Sequence, residues 1–202
     1  MLTPSQIKYH EQTSLKYRAS SIGKGKAGGK QKLPEVSIYD LTNMNGEKFD
    51  VPYIDYEKEV SQPRDWTIVL GKGVQGTVEK MILRLKDGRE VGVAVKKTYL
   101  TQQRARRIEV YKRELRALQR ISHPNVVKLW GLGVDPCDEF IYLVIELCDC
   151  SGWEYVERVF SKSLEFPKDI LLAWADLANG CDEMAKKGIL HRDLTLDNIL
   201  VT

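Results

Sequence analysis

A carboxylate and a side-chain amide lie five residues apart in HRDLTLDN, near the end of the 202-residue sequence. The carboxylate belongs to Asp193 and the amide to Asn198. A carboxylate can take a proton from a reacting hydroxyl, and carboxylate and amide oxygens are ligands that hard cations bind. The spacing therefore suits a general base beside a metal ligand. An ordinary polar turn would also account for these residues when they are considered alone.

A second candidate is the glycine-rich run LGKGVQGTV, from Leu70 to Val78, with glycines at Gly71, Gly73 and Gly76. Glycines let a backbone approach a polyphosphate closely, and consecutive N–H groups can bind phosphate oxygens. A dinucleotide-binding turn would lead into a helix, whereas a strand pattern follows here, so a dinucleotide fold is not indicated. A plain glycine-rich hairpin remains as the alternative.

A third candidate is Lys96, which lies at the end of the apolar alternating segment EVGVAVK. Side chains alternate along a strand, so Ala94 and Lys96 should share one face and Val93 and Val95 the other. A lysine on a half-buried strand needs an anionic partner, because an unpaired buried ammonium is costly. Glu114 is the candidate partner. Alternatively, Lys96 only terminates the strand and Glu114 is a solvated helix charge.

The elements that must position these residues follow from periodicity and turn signals. DWTIVL, TVEKMILRL and EVGVAVKKTYL predict three strands in an antiparallel meander, with a hairpin signal at Asp87-Gly88. QQRARRIEVYKRELRALQRI predicts a helix that ends before Ser122-His123-Pro124. NVVKLWGLGV and FIYLVIELC predict two more strands. Together these segments predict a compact α+β unit of five strands and one helix.

The sequence after Cys150 is helical in character. SGWEYVERVFSKS is short and amphipathic, and a long helix is predicted from Pro167 to Gly188. Its apolar residues occupy a broad face that needs a partner. They are Ile170, Leu171, Trp174, Leu177, Ala178 and Met184.

Charge is unevenly distributed before the strands begin. Residues 1–33 carry seven Lys or Arg and one acid, and we interpret them as a basic flexible tail. The tail could bind polyanions, but no aromatic interleaving supports a nucleic-acid or membrane site, and a solvated tail is favoured. Residues 34–64 are acidic, and VSIYDL and FDVPYIDY flank the turn-prone NMNGEK, which predicts a partly ordered lead-in.

The four cysteines form no CxxC pair and have no histidine at metal-ligand spacing, so neither a zinc site nor a disulfide framework is indicated. Free thiols suit a reducing compartment. The sequence also lacks the apolar run of a signal peptide and any 18-residue apolar stretch typical of a membrane span. These observations predict a cytoplasmic location, with a nuclear one as the alternative.

The ordered set of motifs resembles the eukaryotic protein kinase family: glycine loop, strand lysine, helix glutamate, and HRD with an asparagine five residues after the aspartate. SHPNVVKLWG and YLVIELCD are similar to further family segments. The resemblance covers about Asp65 to Thr202. It implies a kinase-like small lobe at 65–147, a five-stranded antiparallel sheet with one long helix. It also implies a hinge and the start of an incomplete, mainly helical large lobe at 148–202.

The resemblance also implies roles for the candidate residues. ATP would lie under the glycine loop, with Lys96 on its phosphates and paired with Glu114. Asp193 would accept or steer the proton of the protein substrate's hydroxyl, and Asn198 would bind Mg²⁺. The ATP-binding set comprises Leu70, Gly71, Gly73, Gly76, Val78, Ala94, Lys96, Ile145 at the back of the pocket, and the hinge backbone of Glu146 and Cys148.

Three departures from the family pattern affect the functional interpretation. Thr195 stands where serine/threonine kinases usually have lysine, Gln75 replaces a common aromatic, and no DFG segment follows within the sequence. Threonine occurs at that position in the tyrosine-kinase-like group, whose members mostly phosphorylate Ser or Thr. We therefore expect this sequence to be part of a longer Ser/Thr kinase rather than a truncated product, and we expect residues 1–202 to be inactive by themselves. The alternative is a non-catalytic, pseudokinase-like nucleotide binder or scaffold.

Overall fold

The structure is a computed structural model that describes residues 7–9, 41, 43–44, 47–48, 50–64, 69–73, 76–100, 103–135, 137, 139–161 and 168–202. The strands are β1 Ile7–Tyr9, β2 Asn43–Met44, β3 Glu47–Lys48, β4 Val60–Ser61, β5 Val69–Gly73, β6 Gly76–Arg84, β7 Glu90–Tyr99, β8 Leu129–Val134, β9 Phe140–Glu146, β10 Cys150–Ser151 and β11 Ile199–Val201. The helices are α1 Tyr56–Glu59, α2 Arg104–Gln119, α3 Gly152–Phe160 and α4 Lys168–Lys186.

The main sheet has the strand order β4-β6-β7-β9-β8, with β5 also paired to β6. Every pairing in it is antiparallel. The β6–β7 hairpin closes at Gly88, whose φ of 85° lies in the left-handed region that glycine adopts without strain. The predicted meander and the two later strands are confirmed, and the short strand β4 extends the sheet beyond the predicted five.

Two apolar clusters show that the sheet is covered on both faces. One face packs against α2, through residues such as Ala94, Leu115 and Ile145. The other holds Val93 and Val95. The predicted alternation along β7 is therefore present, and it places Ala94 on the face that α2 covers.

The opposite face is covered by a strap, defined here as residues 50–61 of the acidic lead-in. At one edge of the sheet the strap pairs with β8, where the Ile54 amide donates to the Leu132 carbonyl at 2.9 Å. At the other edge its strand β4 pairs with β6, with Val60 opposite Leu83. The side chains of Ile54 and Val60 are buried in the same cluster as Val93. The strap therefore crosses the whole sheet and contributes to its core.

The long helix α4 ends as the sequence predicts. Gly188 has a φ of 69°, its amide donates to the Ala185 carbonyl, and the Ile189 amide donates to the Met184 carbonyl. This bond pattern is the Schellman motif, and Ile189 packs against the apolar cluster that contains Met184.

The broad apolar face predicted for α4 is only partly covered. Ile170, Leu177 and Met184 are buried, whereas Leu171 and Trp174 are exposed. Among the described residues, no helix has the length and apolar character needed to cross a bilayer.

The structure differs from the expected tail and lead-in in two places. Ile7–Tyr9 forms a strand that pairs with Ile199–Val201, inside the segment interpreted as a flexible tail. The expected turn NMNGEK itself supplies the two short strands β2 and β3. The rest of residues 1–33, the start of DWTIVL, Gln75 and Pro167 lie outside the described residues.

Candidate functional site

The ion pair between Lys96 and Glu114 is present and bidentate. The Lys96 Nζ atom donates to the two carboxylate oxygens of Glu114 at 2.6 and 2.7 Å. Lys96 lies in the middle of the sheet, paired with Val78 on β6 and Leu143 on β9. Glu114 is on α2, one position before the fully buried Leu115. The strand and the helix thus bring together two residues that are 18 positions apart.

Burial dominates the electrostatics of the Glu114 carboxyl. The Glu114 side chain is 4% exposed and that of Lys96 is 15% exposed. Burial raises the pKa of the Glu114 carboxyl above its ordinary value, and the charge and hydrogen bonds of Lys96 oppose that rise. Taking two charges out of water costs free energy that their attraction only partly returns. The pair is therefore not expected to add much to the stability of the fold.

The residues predicted to surround an adenine lie on or beside the sheet face that holds Lys96. Ala94 and Ile145 are buried cross-strand neighbours, and Val78 packs against the same cluster. Leu70 is exposed on β5, at a point where the β5–β6 pairing is irregular. An apolar sheet face beside a paired lysine can accept a flat aromatic group with an anionic tail.

The hinge residues lie at the C-terminal end of β9 and directly after it. The Glu146 amide donates to the Lys128 carbonyl at 2.9 Å, so this N–H is already used within the sheet. Cys148 is half-buried against the core cluster. The backbone of Glu146 and of Cys148 is where the sequence predicts contacts with a base edge.

An open cavity of about 450 Å³ lies beside the hinge, and no residue spacing in the sequence indicated it. Burial raises the pKa of the Cys150 thiol, which keeps it protonated. The cavity is lined by Asp149, Cys150, Glu154, Glu157, Arg158 and Ser161.

The glycine loop is the tip of the β5–β6 hairpin, with Gly73 opposite Gly76. A Cβ atom built at Gly71 or Gly73 would meet nothing within 4 Å. At Gly76 it would overlap the carbonyl oxygen of Lys97 on the neighbouring strand. The first two glycines thus leave open space above the hairpin, whereas the third permits close backbone packing.

Gly76→Ala is accordingly expected to lower the free energy of unfolding by about 2 kcal/mol, because the hairpin tip must move away from β7. Gly73→Ala is the matched control and should change the value by less than about 0.5 kcal/mol. Urea denaturation of the two variants measures the difference. Equal stabilities would show that the close contact at Gly76 is not a packing constraint.

The loop that contains HRDLTLDN is organised by Asn198. Its Nδ2 atom donates to the Asp193 carbonyl oxygen at 2.8 Å and to the Asp193 carboxylate at 3.0 Å. The Thr195 amide donates back to the Asp193 carbonyl, and the Asn198 amide donates to the Thr195 carbonyl. Arg192 has a φ of 63°, an uncommon conformation for a non-glycine residue. The predicted base and the predicted metal ligand are therefore in direct contact.

The same contacts provide a test of the predicted magnesium ligand. Because Nδ2 donates to Asp193, the Oδ1 atom of Asn198 faces the other way. It is buried and has no hydrogen-bond partner among the described residues. A buried carbonyl oxygen without a donor suits a hard cation. In the described part of the chain, no group of three or more His, Cys, Asp or Glu side chains could hold a metal ion.

Comparison with known proteins agrees with this geometry. The family model described as protein tyrosine and serine/threonine kinase matches residues 65–202, more than half of the chain. The chain belongs to the protein kinase family. The matched region begins within the first predicted strand and includes every predicted site residue of the kinase.

Individual relatives are similar over most of this kinase chain but only part of their own length. The Caenorhabditis elegans mitogen-activated protein kinase kinase kinase mlk-1 is 31% identical over 65% of the chain and 14% of that protein. The Schizosaccharomyces pombe sporulation protein kinase mde3 is 32% identical over 82% of the chain and 28% of that protein. The Gallus gallus tyrosine-protein kinase receptor TYRO3 is 28% identical over 66% of the chain and 16% of that protein. The chain thus spans less than a third of these relatives.

Two polar contacts near the site were not predicted from the sequence. The Tyr111 hydroxyl donates to the Tyr142 carbonyl at 3.0 Å. Lys97 pairs with Glu79 at 2.7 Å on the strap side of the sheet, between the rings of Tyr56 and Phe140. The one available signal was the helical spacing of the apolar residues Ile108, Tyr111, Leu115 and Leu118, which predicts that Tyr111 is buried but not which group its hydroxyl contacts.

Proposed function

We propose that this kinase chain binds ATP with Mg²⁺ and forms the nucleotide-binding part of an enzyme that transfers the γ-phosphoryl group to protein Ser or Thr hydroxyls. The bidentate contact of Lys96 with Glu114 is the observation that carries the proposal. An ammonium held at a fixed position on an otherwise apolar sheet face is preorganised for phosphate oxygens.

Each polar residue of the site has a distinct task in the proposed reaction. Lys96 holds the α- and β-phosphates, and Glu114 keeps the Lys96 ammonium in place. Asp193 accepts or steers the proton of the attacking hydroxyl. Asn198 is a ligand for Mg²⁺, which neutralises charge on the phosphates when it is bound. The backbone of Glu146 and Cys148 binds the adenine edge.

Apolar side chains enclose the adenine ring. Leu70, Val78 and Ala94 lie against the ring, and Ile145 lies behind it.

Preference for Ser and Thr is supported by Thr195 and by relatives. The Dictyostelium discoideum relative is named as a probable serine/threonine-protein kinase and is 28% identical over 82% of this chain. TYRO3, by contrast, is named as a tyrosine kinase.

All four cysteines are free thiols, which supports a cytoplasmic or nuclear location.

A non-catalytic nucleotide binder is the second candidate, favoured by Thr195. This residue replaces a lysine that would place a cation near the transferred group, and its side chain is exposed. The loss of a preorganised charge lowers transition-state stabilisation without preventing nucleotide binding. Both candidates therefore predict nucleotide binding, and only the enzyme predicts phosphoryl transfer.

Nucleotide binding is tested first, with residues 1–202. Saturating MgATP, at about 100 times its dissociation constant, should add about 2.7 kcal/mol of stability and raise the melting temperature by about 5–10 °C. The rise should shrink when EDTA removes Mg²⁺. A melting temperature that MgATP leaves unchanged would refute both candidates.

Phosphoryl transfer is tested second, on a chain that continues past Thr202 through the family's Asp-Phe-Gly segment, activation loop and remaining large-lobe helices. Transfer of labelled γ-phosphate to Ser or Thr of a protein substrate supports the enzyme. Nucleotide binding without transfer supports the non-catalytic candidate. Labelling confined to tyrosine would contradict the proposed specificity.

A further inference from the structure

A buried hydrogen bond fastens α2 to the centre of the sheet. The hydroxyl of Tyr111 donates to the main-chain carbonyl oxygen of Tyr142 at 3.0 Å, and the Tyr111 side chain is 2% exposed. Tyr142 lies on β9, between β7 and β8 in the sheet. The acceptor thus belongs to an interior strand that cannot shift independently of its neighbours.

Tyr111 lies three residues before Glu114, almost one turn away on the same helix. Burial raises the pKa of the Tyr111 phenol well above its ordinary value, and the nearby Glu114 carboxylate adds to the rise. The phenol therefore keeps its proton at physiological pH and remains a donor. Its contact connects the position of β9 directly to the turn of α2 that carries Glu114.

Apolar packing and directional contacts together fix the position of the helix. Its N-cap residue, Gln103, makes no side-chain cap hydrogen bond. Leu115 and Leu118 anchor the helix by apolar packing, which is non-directional and tolerates small sliding or rotation. A hydrogen bond weakens steeply with distance and angle, so it restricts both movements. Arg107, whose guanidinium donates to the Tyr99 carbonyl at 3.0 Å, provides a second such contact near the start of the helix.

We propose that Tyr111 is a positioning residue that holds Glu114 in register with Lys96. This inference rests on the proposed function, because it assigns Tyr111 a role in preparing the nucleotide site. Tyr111 acts through the helix and the Glu114 carboxylate, and its hydroxyl is used by the Tyr142 carbonyl. The bidentate geometry at Lys96 depends on the rotation and height of α2 that this bond sets.

The structure offers a closely matched pair of variants. Tyr111→Phe removes the hydroxyl that fastens α2. Tyr142→Phe removes an equally buried hydroxyl that donates to the Ile54 carbonyl of the strap at 2.5 Å, and it leaves the Tyr142 main-chain acceptor in place. Each variant loses one oxygen atom and one buried hydrogen bond. A merely structural role predicts similar effects for both, whereas a positioning role does not.

The first readout is the rate at which an amine-reactive acylating reagent modifies Lys96 in residues 1–202, measured by mass spectrometry. Lys86, exposed in the β6–β7 turn, serves as the internal reference. Tyr111→Phe should raise the Lys96 rate about fivefold, because the carboxylate that shields the amine is held less firmly. Tyr142→Phe should leave the rate within about twofold of the wild type. An unchanged rate in Tyr111→Phe, or an equal rise in both variants, overturns the proposal.

The second readout is the dissociation constant for MgATP, with Glu114→Ala as the background. Tyr111→Phe should weaken MgATP binding about threefold to tenfold in the wild type and not at all in Glu114→Ala, because residues that act through one another are not additive. Equal weakening in both backgrounds would overturn a role through Glu114. If the wild type binds no MgATP, the proposed function fails, while the acylation rates still decide whether Tyr111 positions Glu114.

Discussion

Asp193→Asn is expected to slow phosphoryl transfer by about 10²–10⁴-fold while leaving MgATP affinity within a few-fold of the wild type. An amide cannot accept the proton of the attacking hydroxyl, so the contribution of a general base is lost. The fold of the loop should persist, because the Asn198 Nδ2 atom can still donate to an amide oxygen at position 193 and to its main-chain carbonyl. Steady-state transfer is measured on the chain extended through Asp-Phe-Gly, the activation loop and the remaining large-lobe helices.

The matched control is Asp197→Asn, four residues later on the same loop. Asp197 is exposed, so removing its charge should change the transfer rate by less than about twofold. A similar loss in both variants would indicate a general effect of loop charge. A full rate in Asp193→Asn would contradict the assignment of Asp193 as the base, and with it the enzymatic candidate as formulated.

The contact between Lys96 and Glu114 could be predicted because two local periodicities determine it. The period of two along β7 places Lys96 on the face of Ala94. The helical period along α2 places Glu114 beside the buried Leu115. A helix packed on that face can bring the two charges together, and the cost of an unpaired buried ammonium favours such a packing. The five main strands were likewise predictable from alternation and turns.

The strap could not be predicted in the same way, because its contacts are non-local. Its residues form four-residue α1 and two-residue β4, too short for a periodic signal. Its position depends on which strands lie at the edges of the sheet. Gly131 and Gly133 on β8 allow the approach, since a Cβ atom at either position would overlap atoms of the strap or of Tyr142. Glycines in a strand indicate a close approach without identifying what approaches.

The hydroxyl contacts of Tyr111 and Tyr142 illustrate a second limit. Both residues are in apolar patterns, which correctly predict that their rings are buried. A pattern contains no information about where a buried hydroxyl finds its acceptor, since the acceptors are main-chain carbonyls of other elements. Positioning residues of this type therefore become visible only once the packing of the helix and the sheet is known.

Lys96→Met is expected to lower the free energy of unfolding by about 3–5 kcal/mol near neutral pH, in addition to abolishing nucleotide binding. The substitution leaves the Glu114 carboxylate, 4% exposed, without its bidentate partner. An exposed control, Lys86→Met, should change the stability by less than about 0.5 kcal/mol. Loss of function in Lys96→Met would thus combine a missing phosphate ligand with a less stable small lobe.

The double variant Lys96→Met/Glu114→Leu separates these two effects. Replacing the whole ion pair by apolar side chains removes the uncompensated charge, so stability should return to within about 1 kcal/mol of the wild type or exceed it. MgATP binding should remain abolished. Guanidinium denaturation and MgATP titration of the single and double variants provide the comparison.

The stability deficit of Lys96→Met should also depend on pH, and the titration of Glu114 determines whether the deficit grows or shrinks as the pH falls. Burial raises the pKa of this carboxyl above its ordinary value of 4.5, and the opposing influence of Lys96 is absent in the variant. A group with a raised pKa in the folded state contributes its full stability below the ordinary value and loses it as the pH rises through the folded-state value. The deficit relative to the double variant should therefore shrink from pH 7 towards pH 4.5. A deficit independent of pH would mean that lost packing, rather than the buried carboxylate, destabilises Lys96→Met.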